Sequence, residues 1–105
     1  MEHEYVTCLS TVPDVDTGKK IARILVNDGI VACVNIIQGI TSIYTWRGEV
    51  HEDTECLLVI KTRVERFADV ERRITSLHPY ECPEIVSLPI LQGYAPFLKW
   101  IDEHV

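Results

Sequence analysis

The strongest constraint on this chain is a strand pattern that has no polar side. Cys56-Leu57-Leu58-Val59-Ile60 is an unbroken apolar run bounded by Glu55 and Lys61. Successive side chains of a strand point to opposite faces, so Cys56, Leu58 and Ile60 face one way and Leu57 and Val59 the other. The doubling recurs elsewhere. Ala32, Val34 and Ile36 oppose Cys33 and Ile37, and Ile85 and Leu91 oppose Val86, Leu88 and Ile90. A sheet built from these strands is greasy on both sides, and whatever covers one side leaves the other in need of a partner.

The remaining periodicities say what covers the first side. Tyr5–Ser10 reads as a strand rich in β-favouring residues. Ile21, Ala22, Ile24, Leu25 and Val26 form a helical stripe, which predicts a helix over Val15–Asp28. Asp14 or Asp16 is placed to cap it, Asp16 falling just before the stripe, and Gly29 is a natural stop. A long second strand spans Ile30–Trp46 with a break or bulge at Gly39, and Arg47-Gly48 turns into a third strand over Val50–Thr62. Phe67, Val70, Ile74 and Leu77 share one face of a second helix over Val64–Leu77. A fourth strand runs from Glu84 to Leu91. Gly93 and Pro96 then interrupt, and a short closing helix from Phe97 to His104 turns Leu98 and Ile101 inward.

The order β-α-β-β-α-β is that of an α+β, ferredoxin-like fold. It predicts one domain over residues 1–105, with two helices on one face of a four-stranded antiparallel sheet in the order 4-1-3-2. That order puts Pro89 on an edge strand, where a missing N–H is tolerated. The uncovered face would expose roughly 400 Å² or more of apolar surface, beyond what soluble monomers tolerate. The segment Tyr94–Val105 offers too little surface to cover it. A closed homo-oligomer, with sheets packed together and long strands paired across subunits, removes both the patch and the open edge.

Composition narrows the function. With 105 residues, roughly 65% of the unfolded surface can be buried, enough for a core without disulfides. Sixteen acidic residues against ten basic ones give a net charge of −6 with no Lys/Arg cluster, which argues against a nucleic-acid partner. No apolar run approaches a membrane span, and the acidic start Met1-Glu2-His3-Glu4 is unlike a secretory signal, so a cytoplasmic protein is expected. Cys8, Cys33, Cys56 and Cys82 form no Cys-x-x-Cys pair and are expected as reduced thiols. No nucleotide-binding glycine loop, nucleophile elbow or His-Glu-x-x-His motif occurs, so no enzyme is expected.

The polar chemistry gathers between Leu77 and Ile90. There a histidine, a tyrosine, a cysteine and two glutamates sit among Pro79, Pro83 and Pro89. Such a rigid loop holds a ligand or a metal, or sets the angle between two elements. The stretch His51-Glu52-Asp53-x-Glu55 reads as a solvated charge run, and His3 and His104 as incidental.

The chain resembles the CutA1 family of divalent-cation tolerance proteins along almost its whole length. The resemblance rests on Ala32-Cys33-Val34-Asn35-Ile36-Ile37, Gly39-Ile40-Thr41-Ser42-Ile43-Tyr44, Trp46-x-Gly48, Ile60-Lys61-Thr62, His78-Pro79-Tyr80-Glu81, Pro83-Glu84 and Leu98-x-Trp100. It implies a compact homotrimer whose architecture is similar to that of the PII signalling proteins. It also implies a role in tolerance of divalent metals, copper above all. Cys33 and His78 stand at family positions and are candidate metal ligands by that resemblance. Thiolate and imidazole together suit copper or zinc. The structural alternatives are a small core cysteine and a histidine closing a helix. Cys82, where the family does not generally carry cysteine, is a further candidate if the loop brings it to His78. Lys61, Tyr80, Glu81 and Glu84 also match, and with Trp46 and His78 would line a polar cleft between subunits; the structural alternative is a Lys–Glu pair that orders the trimer. Two alternatives to metal tolerance stand beside it. One is a PII-like signalling trimer holding a small anion through Lys61, and the other is a structural scaffold without a ligand.

Overall fold

The computed structural model describes residues 4–105; His3 lies outside them. Its elements are β1 (Tyr5–Val12), α1 (Val15–Asn27), β2 (Cys33–Trp46), β3 (Glu49–Arg63), a 3-10 turn (Val64–Arg66) leading into α2 (Phe67–Leu77), β4 (Val86–Pro89) and α3 (Ala95–His104). The strands form one antiparallel sheet in the order β2-β3-β1-β4. This is the expected 4-1-3-2 order read from the other edge, and Pro89 does sit on the edge strand β4.

The central ladder runs from Tyr5↔Arg63 to Val12↔Cys56. It sorts side chains by parity. Val6, Cys8, Val12, Cys56, Leu58 and Ile60 are buried with Ile21 and Leu25 of α1 and Val70 and Ile74 of α2. Gly18 lets α1 come this close, because a Cβ there would meet Leu58 Cδ2 at 3.2 Å and Val12 Cγ2 at 3.3 Å. The opposite face stays largely open: Ile37 is 48% exposed and Leu88 50% exposed in the single chain. α3 closes one end of that face and no more. There Asp102 accepts hydrogen bonds from the Tyr5 hydroxyl at 2.7 Å and from Arg63, while Ile101 is fully buried.

Several boundaries differ from the sequence reading. Asp14, not Asp16, caps α1, accepting from the Thr17 amide at 2.8 Å; Asp16 lies in the first turn, where its charge suits the dipole. β2 begins at Cys33 rather than Ile30. The Ile30 amide returns to the Leu25 carbonyl at 3.1 Å, and the Ile30 carbonyl accepts from the Thr62 hydroxyl at 2.7 Å. These groups are therefore spent outside the ladder, while Ile30, Val31 and Ala32 stay buried. β4 is shorter than Glu84–Leu91. The closing helix begins at Ala95, with Pro96 in its first turn; proline there starts a helix instead of interrupting one.

β2 and β3 outrun the rest of the sheet. β1 reaches only Cys56, yet β2–β3 pairing resumes at Ile40↔Glu55 after a bulge past Ile37 and continues to Trp46↔Glu49. Gly39 sits in this bulge at φ 71°, the left-handed region that glycine enters freely. The result is a two-stranded arm carrying exposed Ile43 and Val50.

Leu58→Ala removes a fully buried side chain at the helix–sheet contact and is expected to cost about 3 kcal/mol, measured by denaturant unfolding. The Thr17 amide holds the Asp14 carboxyl below the usual aspartate range. The stability this adds is complete above the ordinary value of about 3.9 and is lost as pH falls through the lowered folded value. Asp14→Ala should therefore lower the melting temperature at pH 7, with the gap from wild type narrowing as pH falls below the usual aspartate range. Asp14→Asn, which still caps, should stay near wild type at neutral pH.

Candidate functional site

The site is built from the end of α2. Leu77 is the last helical residue, and His78 closes the helix in an extended conformation, its amide bonded to the Ile74 carbonyl at 2.8 Å. The His78 ring is buried. Its Nε2 lies 2.7 Å from the Thr11 carbonyl, which can only accept, so Nε2 carries the proton. Nδ1 then holds the lone pair and accepts from the Tyr80 amide at 3.1 Å. Both ring nitrogens are thus engaged, one on β1 and one on the loop that follows.

This arrangement sets Tyr80. Its ring packs 4.6 Å from that of His78, and its hydroxyl donates to Glu55 at 2.7 Å. Glu55 is only 6% exposed. Burial, and next the bond to Glu55, push the Tyr80 hydroxyl well above the usual tyrosine range. On the arm, Tyr44 donates to Asp53, which likewise raises its hydroxyl, and stacks on His51 with ring centroids 5.5 Å apart. Loop and arm enclose a cleft of about 640 Å³ lined by Tyr44, Trp46 and Tyr80, by Glu55, Glu81 and Glu84, and by Cys82. Thr11 and Ser42 are also in its wall. At its edge Arg47 pairs with Glu81 at 3.0 Å and lies 5.5 Å from the centre of the Trp46 ring.

Of the residues singled out in the sequence, the structure gathers Trp46, Tyr80, Glu81, Cys82 and Glu84 around this cleft, with His78 supporting it. It places Lys61 and Cys33 elsewhere. They are direct partners on β3 and β2, on the open face, where Lys61 donates to Asn35. Lys61 faces Thr7 on β1, four residues from Thr11, so Cys33 and His78 lie roughly 13 Å apart along the strands and two strand spacings across them. Among the described residues no three His, Cys, Asp or Glu side chains are grouped to hold a metal ion. Among the described residues of one chain, the cleft wall has carboxylates and no lysine; the reading of Lys61 concerned a cleft between subunits.

Glu55 and Tyr44 escape the sequence reading. Glu55 belongs to a charge run whose neighbours Glu52 and Asp53 are indeed exposed, and its one distinguishing sign is that it abuts the apolar run Cys56–Ile60. Tyr44 carries no such signal.

The four-stranded antiparallel sheet with three helices is an α+β architecture shared with solved CutA proteins. It superposes on the divalent cation tolerance protein of Thermus thermophilus with a TM-score of 0.94 at 46% identity, covering 96% of this chain and 98% of that one. The CutA of Archaeoglobus fulgidus, titled a periplasmic divalent cation tolerance protein, gives 0.93 at 36% identity, covering 95% and 97%. A family model described as CutA1 divalent ion tolerance protein matches residues 6–104, and the chain belongs to that family. Among curated relatives, the Thermus thermophilus divalent-cation tolerance protein is 48% identical over 91% of this chain and 93% of its own length. The CutA homolog of Xenopus laevis is 50% identical over 96% of this chain. The chain spans 64% of that frog protein and 54% of the mouse one.

The four thiols differ in access: Cys82 is exposed, Cys33 half-buried, Cys56 and Cys8 buried. Burial also pushes the Cys8 thiol up to about 11. A disulfide reagent at pH 8 should therefore modify one thiol per chain rapidly, and Cys82→Ser should abolish that phase. The Cys8 thiol should react only on unfolding, as followed by absorbance and peptide mapping.

Proposed function

We propose that this chain is a cytoplasmic, non-enzymatic divalent-cation tolerance protein that works as a ferredoxin-like homotrimer and binds copper or a related ion. The observation that carries the reading is the CutA1 match over residues 6–104. The open sheet face and the protruding β2–β3 arm support the assembly. Half-exposed Ile37 and Leu88 on that face, and exposed Ile43 and Val50 on the arm, are apolar side chains that a single chain leaves in water. Packing of sheets and arms between copies covers them. Cys33 lies on this face and supplies a soft thiolate suited to copper, and Cys82 is a second accessible thiol. His78 enters as a ligand only by giving up the Tyr80 amide or the Thr11 carbonyl.

Sedimentation should give a species of three times the 12.0 kDa chain, and Leu88→Lys should shift it to smaller forms. A soluble wild-type monomer at micromolar concentration refutes the assembly. Calorimetric titration with copper under reducing conditions should show saturable binding that weakens about tenfold or more, roughly 1.4 kcal/mol, in Cys33→Ser; identical isotherms remove Cys33 from the site. His78→Ala separates two roles. A ligand role lowers copper affinity, whereas a supporting role changes the fluorescence around Tyr80 and Trp46 and leaves copper affinity alone.

A further inference from the structure

The cleft between arm and loop has a chemistry that metal tolerance does not use. Its wall combines carboxylates with aromatic rings, and among the described residues no lysine, arginine or histidine lines it. Glu55 is nine-tenths buried there. Its carboxylate has one hydrogen-bond partner among the described residues, the Tyr80 hydroxyl, and it makes no ion pair among them. A buried carboxylate without a positive partner is costly, and a cation delivered to it removes that cost.

The rim shows which kind of cation suits the surroundings. The Arg47 guanidinium lies 5.5 Å from the centre of the Trp46 ring and 3.0 Å from Glu81. This pairs an aromatic ring and a carboxylate around one organic cation, within the range at which ring quadrupoles attract charge. Tyr44, Tyr80 and Glu55 line the same cleft and offer the same two kinds of group. A bare metal ion is a poorer match, because among the described residues no three ligating side chains are grouped for one. The volume of about 640 Å³ is in the range of small-molecule sites.

We infer that this cleft binds an organic cation, an ammonium or guanidinium group, with Glu55 as counter-ion and Tyr44, Trp46 and Tyr80 as its aromatic surround. Two sources carry that chemistry: a free small amine, or a basic side chain of a second copy of this chain. The site does not involve Cys33, so it stands or falls separately from copper binding.

Agmatine, which carries both groups, is the probe, with n-butylurea as the neutral control. In the full chain with Trp100→Phe, Trp46 is the single tryptophan and its fluorescence reads the cleft. Agmatine should give a saturable change that is weakened at least tenfold in Glu55→Gln, persists in Cys33→Ser and is not reproduced by n-butylurea. If a basic side chain of another copy fills the cleft, agmatine is silent. Glu55→Gln then weakens self-association in sedimentation, and carbodiimide links Glu55 to a lysine of another copy. Should Glu55→Gln fail to fold, Trp46→Leu is read by calorimetry and should weaken agmatine binding likewise. The inference is overturned by agmatine binding that is unchanged in these variants or matched by n-butylurea. It is equally overturned by agmatine silence in a Glu55→Gln protein that self-associates as wild type does.

Discussion

The antiparallel register between β1 and β3 is the constraint on which the rest depends. With Cys8 opposite Ile60 and Val12 opposite Cys56, even-numbered side chains of both strands point together into α1 and α2, and odd-numbered ones point together the other way. A slip of one residue would turn one of the two strands over and put either Thr7 and Thr11 or Lys61 under the helices. Gly18 seals the register from the helix side, since it lets α1 settle on Leu58 and Val12. The same ladder ends at Cys56, and that ending frees the arm beyond it.

The candidate site is a consequence of where that ladder stops. Thr11 lies at the end of β1, and its carbonyl fixes His78, which in turn fixes the Tyr80 amide. Tyr80 reaches across to Glu55, the first β3 residue past the β1 pairing. A short chain of hydrogen bonds thus ties sheet, helix end, loop and arm together. Each partner's chemistry is used once: a carbonyl that only accepts selects the histidine tautomer, and that tautomer makes the acceptor that orders the loop. At the opposite end of β1, Tyr5 and Arg63 hold Asp102 and with it α3, so the open face is bounded by a helix at one end and a cleft at the other.

The helices were legible because their apolar stripes have a period that no strand shares: Val70 and Ile74, and Ile21 and Leu25, are found where the spacing puts them. Strand order and the edge position of Pro89 were legible from the connection pattern. Errors came where a backbone group chose a partner that no local pattern records. Ile30 looks like the start of a strand, yet its amide bonds to Leu25 and its carbonyl to Thr62. Pro96 looks like a break and instead opens α3.

The amino-acid order by itself determined the alternation that makes this sheet apolar on both sides, because side-chain direction along a strand follows from covalent geometry. It also determined the turn and helix-stop signals that glycine and proline impose on their own backbones. Only the tertiary structure decided which polar residues meet. Lys61 matches the family as well as Tyr80 does, but the pairing of β3 with β2 sends it to Cys33 and Asn35 and away from the cleft of its own chain. Glu55 looked like one more solvated charge until Tyr80, 25 residues away, covered it. Proximity between residues distant in sequence depends on how elements pack, and packing is settled by the whole set of buried surfaces rather than by any one segment.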